Sequence, residues 1–354
     1  MAADPFALPE AALAEYLTQH VDGFHGPLAA TKFKGGQSNP TYRIDAASGC
    51  YVLRRKPPGV LLPSAHAVDR EFRVLRALQH SAVPVARALH LCIDDSVIGS
   101  MFYLMEHVDG RVFWDPAMPD IGNDQRAANY DDIIATLAAL HAVDVDAAGL
   151  ADYGKPGNYF ARQLARWTEQ YRASGFQQRN WSTQPVAMME TLLAELPPRC
   201  PADDGRVALV HGDYRSDNLM FAHDTSAHSR PRILAVMDWE LSTLGHPLAD
   251  LGYFCMALRL PGQPPLPGLA GIDRAALGIP DEAAVLRRYS ELSGTRVDAD
   301  WSFVLAFSFF RLAAIAQGVA KRAQQGNASS ERALQAGCMV TLLAQMGVQA
   351  LRDG

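Results

Sequence analysis

The pattern of apolar and polar positions divides the chain near residue 106. Before it, apolar and β-branched residues come in short runs separated by glycine turns, which predicts strands. The runs are LAATKFKGGQSNPTYRID and CYVLRR, giving a first strand, a turn at Gly35-Gly36, a second strand Pro40–Ile44 and a third Tyr51–Arg54. Val85–Leu91 and Met101–Met105 complete five strands. Helical spacing appears twice in this half: Pro9–His20, with Leu13, Tyr16 and Leu17 on one side, and His66–Gln79, with Val68, Phe72, Leu75 and Leu78 on one face. From Asn123 onward the period becomes helical, over Gln125–His141, Tyr159–Tyr171, Thr183–Leu196, Leu248–Leu258, Glu282–Leu292, Trp301–Arg322 and Ser330–Arg352. A sheet followed by helices reads as α+β. The expected domains are 1–106 and 107–354.

Val207–Asp250 departs from both patterns. Val207–Val210 and Ile233–Met237 are short apolar runs that each end in polar residues: HGDYRSDN after the first, DWE after the second. Paired as a hairpin through HDTSAHSRP, they would bring Asp213, Asn218 and Asp238 into one small volume. Crowded carboxylates need a cation between them or a raised proton affinity. Asp217 reads as a cap or surface acid, and Asp250 as an acid near the start of a helix opened by Pro247.

The order His211-x-Asp213-x-x-x-x-Asn218, then a strand and Asp238, matches the kinase catalytic loop and its later metal-binding aspartate. HGDYRSDNLMF with VMDWELSTLGHPLADLGYF resembles the aminoglycoside phosphotransferase and choline kinase family of small-molecule kinases. Gly212 favours that family over protein kinases. DWELSTLGHPLADL, RRKPPG and SAHAVDREFRVL are most similar to the branch found fused to acyl-CoA dehydrogenases. The resemblance runs from about Leu28 to Leu351.

It implies a two-lobed protein-kinase-like fold that moves the γ-phosphoryl of ATP, with Mg²⁺, to a hydroxyl of a small molecule. Asp213 would take the hydroxyl proton, Arg215 would neutralise the migrating phosphoryl, and Asn218 and Asp238 would hold magnesium. Hard cations take oxygen ligands, so an amide and a carboxylate suit the metal. His211 would hold the loop through the backbone.

The resemblance also assigns nucleotide contacts. The turn KGGQSN, through Gly35, Gly36 and the Ser38 hydroxyl, would cover the phosphates. Arg54 stands where kinases keep a strand lysine, with Glu71 as its partner; Lys56 is the other candidate for the phosphates. The Glu106 carbonyl and the His107 and Val108 backbone would meet the adenine edge. Tyr159, Phe160, Trp167 and Tyr171 are either core or the wall of an acceptor pocket. LPGQPPLPGLAGID is either a lid over substrate or an excursion. A pocket for a polycationic aminoglycoside would need many acids, and this chain shows no such clustering. The branch points instead to a hydroxyacyl-CoA. A nucleotide-binding pseudokinase acting as sensor or scaffold is the alternative, supported by the absent strand lysine.

Composition narrows the partners. The chain has 354 residues with a net charge of −6, and no Lys/Arg run long enough to read as a nucleic-acid stripe. Five scattered cysteines without a C-x-x-C pair argue for reduced thiols and a cytoplasmic location. The N-terminus lacks the basic and apolar regions of a signal peptide. Trp301–Ala320 is the most apolar stretch, but Ser308, Arg311 and Gln317 interrupt it, so it reads as a buried helix and not a membrane span.

Overall fold

The computed structural model describes residues 6–33, 39–57, 67–174, 184–223, 232–262, 267–297, 300–324 and 331–353. In chain order the first elements are α1 (Glu10–His20), β1 (Leu28–Lys32), β2 (Thr41–Ala46), β3 (Gly49–Arg55), α2 (Val68–Leu78), β4 (Ala88–Cys92) and β5 (Phe102–Glu106). Then follow α3 (Asn123–His141), α4 (Tyr159–Ser174), α5 (Gln184–Glu195), β6 (Ala208–Val210), β7 (Leu219–Phe221), β8 (Ile233–Val236) and β9 (Thr243–Gly245). The chain ends in α6 (Leu248–Arg259), α7 (Glu282–Ser293), α8 (Trp301–Gln324) and α9 (Glu331–Arg352). Most predicted elements agree with these to within about one turn. Two compact units result: Met1–Val112 with Asp146–Leu150 and Asn218–Ser242, and the remainder.

In the first unit an antiparallel sheet of order β1-β2-β3-β5-β4 carries the core. Along β2, Tyr42 and Ile44 point inward while Arg43 and Asp45 pair on the outside at 2.9 Å. Leu53 and Leu104, opposite each other in register, join Leu13 and Leu17 of α1 in one apolar cluster. Alternation therefore turns Arg54 of β3 and its neighbour Tyr103 of β5 to the other face. There α2 packs, burying Val68, Val74, Leu75 and Leu78, and with them the carboxylate of Glu71. β4 starts later than Val85 because the Arg87 N–H is taken by the Glu106 carboxylate at 2.9 Å.

The hairpin expected between Val207–Val210 and Ile233–Met237 is not formed. β8 pairs with β7, and β6 pairs with β9. Both partners are three-residue runs embedded in polar sequence, NLMF and STLG, too short to give a period of their own. β8 is tied into the first unit by Val236 N–H donating to the Pro84 carbonyl at 2.8 Å.

The second unit is mainly helical around α8. Phe303, Val304, Leu305, Phe307, Phe309 and Phe310 are all at most 3% exposed. A stretch of that helix, Trp301–Lys321, is long and apolar enough to span a membrane, yet 89% of its most apolar 18-residue window is buried inside the protein, as a core helix is. Two of its polar residues find partners for their donors: Ser308 donates to the Val304 carbonyl at 2.9 Å and Gln317 Nε2 to Ser174 Oγ at 2.6 Å. α6 crosses α8 closely at Gly252, where a Cβ would sit 2.6 Å from Val304 Cγ1. Tyr159, Phe160, Trp167 and Tyr171 of α4 are buried, and Tyr159 and Phe160 also line a cavity near His246.

Candidate active site

The first unit supplies a cation held by acids. Arg54, on the α2 face of the sheet, has Nε 2.9 Å from Glu71 Oε2 and Nη2 2.7 Å from Asp238 Oδ1. Glu240 Oε2 lies 3.5 Å from the same Nη2. Glu71 is a buried acid, not a surface one: it is 2% exposed and also accepts from Asn39 Nδ2 at 2.8 Å and the Tyr103 hydroxyl at 3.1 Å. Burial pushes its carboxyl up to about 7, against the pull of Arg54. Glu71 thus faces the guanidinium, while two donors, Asn39 and Tyr103, fix Glu71. Asn39 escaped the sequence reading; its only signal was a polar residue closing the glycine turn.

Asp238 follows β8 in a left-handed conformation, φ 61°, an arrangement that costs a non-glycine residue energy and recurs at functional sites. The preceding residue, Met237, donates its N–H to the Asn218 carbonyl at 2.9 Å. Asn218 closes the short 3-10 turn Ser216–Asn218, so this backbone hydrogen bond ties that turn to the residue before Asp238. An amide oxygen and a partly exposed carboxylate form an oxygen donor set that suits Mg²⁺. No cluster of three or more His, Cys, Asp or Glu suited to a metal occurs among the described residues. Glu106, His107 and Val108 stand at and just after the end of β5, half-buried. Gly35, Gly36 and Ser38 lie outside the described residues.

The second unit supplies the loop after β6. Asp250, fully buried on α6, accepts the His211 N–H at 2.6 Å and the Gly212 N–H at 2.8 Å. His141 Nε2 stands 3.3 Å from the same carboxylate, and its Nδ1 is 2.7 Å from the Tyr289 hydroxyl. Burial would raise the Asp250 carboxyl, but the hydrogen bonds from His141 and Gly212 hold it below the ordinary value. Gly212 has φ 85°, open to glycine and costly for other residues, which explains the residue physically. The His211 ring accepts the Asp213 N–H at 3.2 Å, the backbone role expected of it. Asp213 emerges from this clamp with Arg215 Nε 3.3 Å away, and Arg215 Nη2 reaches Asp217 at 3.0 Å.

Beside Arg215 is a small cavity of about 40 Å³ lined by Trp114, Tyr130, Asp217, Phe254, Pro267 and Leu269 among others. The last two come from the Pro/Gly-rich stretch, which folds back on α6 with Leu269 N–H donating to the Ala257 carbonyl at 3.0 Å. A larger cavity of about 330 Å³ lies at the opposite end of the β6–β9 pair, near Arg206 and His246. Tyr159 and Phe160 line it, but none of the residues around Arg54 or in the loop after β6 does.

Residues 29–292 match the model of a phosphotransferase enzyme family. The chain is 45% identical to acyl-CoA dehydrogenase family member 10 of Mus musculus over 96% of its own length, but spans only 31% of that relative. It is 46% identical to a candidate aminoglycoside phosphotransferase of Ralstonia eutropha, covering 98% of this chain and 99% of that one, with a TM-score of 0.85. At 15% identity, aminoglycoside phosphotransferase APH(4)-Ia, solved as a ternary complex with AMP-PNP and hygromycin B, shares the fold alone (TM-score 0.59; 96% and 98% covered). The five-stranded sheet with its helical companion is therefore kinase-like, and on the match over 29–292 the chain belongs to the phosphotransferase enzyme family.

Proposed function

We propose that the protein is an ATP- and magnesium-dependent kinase of a small hydroxylated molecule. The observation that carries this reading is Arg54, which contacts both Glu71 and Asp238. An arginine can clamp phosphate oxygens with two parallel donors, so the absent strand lysine does not by itself argue for a binding-only protein.

Each residue then has a role. ATP would supply the phosphoryl group, and magnesium the charge that offsets its oxygens. Asn218 and Asp238 would hold the metal, and Arg54, aimed by Glu71, the α- and β-phosphates. Gly35, Gly36 and Ser38 would cover the phosphates, while the Glu106 carbonyl and the His107 and Val108 backbone would take the adenine edge. Asp213 would orient the acceptor hydroxyl and accept its proton. Arg215, already tethered by Asp213 and Asp217, would neutralise charge growing on the migrating group.

The acceptor we favour is a hydroxyacyl-CoA. Two observations support it: similarity to an acyl-CoA dehydrogenase family member, and the mainly apolar lining of the cavity beside Arg215. The test is ATP consumption with aminoglycosides, choline, homoserine, sugars, and 3- and 4-hydroxyacyl-CoAs. Turnover confined to the acyl-CoAs, with Asp213→Asn inactive but still binding ATP, is the expected result. Turnover with another class would replace the acceptor. ATP binding without turnover of any of them would favour the sensor reading.

A further inference from the structure

We propose that Arg311 is a positioning residue for Asp213: from the middle of α8 it holds the Gly212 carbonyl and so fixes the peptide plane that leads into Asp213. The proposal rests on the reading of Asp213 as the group that takes the acceptor's proton.

The peptide between Gly212 and Asp213 is held at both ends. Its carbonyl accepts from Arg311 Nη2 at 2.6 Å, and its N–H, that of Asp213, donates to His211 Nδ1 at 3.2 Å. The peptide before it is held by Asp250, which accepts the Gly212 N–H at 2.8 Å. Gly212 joins the two planes at φ 85°. With no Cβ, glycine restrains the plane that follows it less than any other residue does. A turn of that plane changes the φ of Asp213 and swings the bond that carries its carboxylate. Of the two contacts on the plane, the one from Arg311 is the shorter and is charge-assisted, which makes it the stronger restraint.

Packing alone does not explain an arginine at this position. Arg311 is 5% exposed in the apolar centre of α8. Among the described residues it makes no ion pair, and its Nε has no hydrogen-bond partner. A buried charge without a carboxylate is costly, and an apolar side chain of similar volume would suit a helix core better. What the guanidinium does contact is the Gly212 carbonyl and two rings. Its carbon lies 5.3 Å from the Tyr253 centroid on α6 and 5.6 Å from the Trp167 centroid on α4. Rings from two helices steady the cation, so its donor is aimed before any substrate arrives. These helices and the loop after β6 belong to the same compact unit.

The sequence contains one Gly-Asp pair, Gly212-Asp213. Labelling glycine with carbonyl ¹³C and aspartate with ¹⁵N therefore gives a single NMR correlation, from the peptide that Arg311 holds. Arg311→Met removes the charge and the donors. The correlation should move, its carbonyl carbon upfield, and kcat should fall about 10- to 100-fold, as expected for a reacting group displaced by about 1 Å. The KM for ATP should stay within about twofold. Tm should stay within about 4 °C, because loss of an unpaired charge offsets loss of the bond. Arg311→Lys keeps the charge and a point donor, and should recover part of kcat. If the methionine variant does not fold, the lysine variant carries the test, with a moved correlation and an intermediate kcat. An unmoved correlation in a folded variant overturns the proposal, as does a moved one with wild-type kcat. A raised KM for ATP with unchanged kcat also overturns it, assigning Arg311 to nucleotide binding. If wild-type protein turns over no acceptor, the phosphotransfer reading fails, and the correlation still decides whether Arg311 holds the peptide.

Discussion

Arg54 donates to Asp238 at 2.7 Å, joining the proposed phosphate clamp to the proposed magnesium ligand. The same guanidinium lies against buried Glu71, so its direction is set before any ligand arrives. Replacing it by methionine should cost a charge-assisted hydrogen bond, about 1.5–3 kcal/mol in ATP affinity. Lysine keeps the charge but not the fork, and should fall between the two. Calorimetric titration with ATP and magnesium measures both; unchanged affinity in Arg54→Met would remove Arg54 from the nucleotide site.

Gly212 should not tolerate a side chain. Its φ of 85° is strained for alanine by about 1–2 kcal/mol. Urea unfolding of Gly212→Ala is expected to show that loss, because Asp250 and Arg311 hold the peptide groups in place. A variant as stable as wild type would mean that the loop relaxes freely.

Asp250 gives a pH-dependent test. Its folded value lies below the ordinary 3.8, so the ionised carboxylate stabilises the fold at pH above 3.8, and that contribution is lost as pH falls further. Asp250→Asn turns an amide donor toward a backbone N–H, leaving a buried donor unmet at about 1–3 kcal/mol. Denaturant unfolding should show this difference at pH 7 and a smaller one below pH 3.8. A gap independent of pH would contradict the ionised state.

Much of the fold was legible because the chemistry of each element is periodic. Helical spacing revealed α3, α8 and α9, while the pairing of Arg54 with Glu71 was expected from the family resemblance. Tertiary choices were not legible. β7 and β9 are three-residue runs inside polar sequence, so the partners of β6 and β8 could not be read from pattern. Asp250 looked like a helix-opening acid because its partners, His211 and Gly212, lie 39 and 38 residues upstream. Arg311 read as a flaw in an apolar helix, since its partner at Gly212 is 99 residues away. The catalytic-loop motif could be seen because its residues are close in sequence, whereas the groups that hold it are not.

The apolar centre of α8 offers a check on the core. Phe307 is 1% exposed and packs edge-on against Phe160 with centroids 5.5 Å apart. Phe307→Ala should cost about 3–5 kcal/mol by thermal or urea unfolding. A loss under about 1 kcal/mol would mean that α8 is not the core helix of its unit.

The most direct test of the central claim follows the phosphorus itself. ³¹P NMR of the protein with ATP, magnesium and each acceptor class should show a new phosphate-monoester resonance growing as the γ-phosphoryl signal declines. The account predicts that this resonance needs magnesium, appears with a hydroxyacyl-CoA, and is absent in Asp213→Asn, which still binds ATP. Bound ATP with no ester from any acceptor would contradict it and leave a nucleotide-binding protein without phosphoryl transfer.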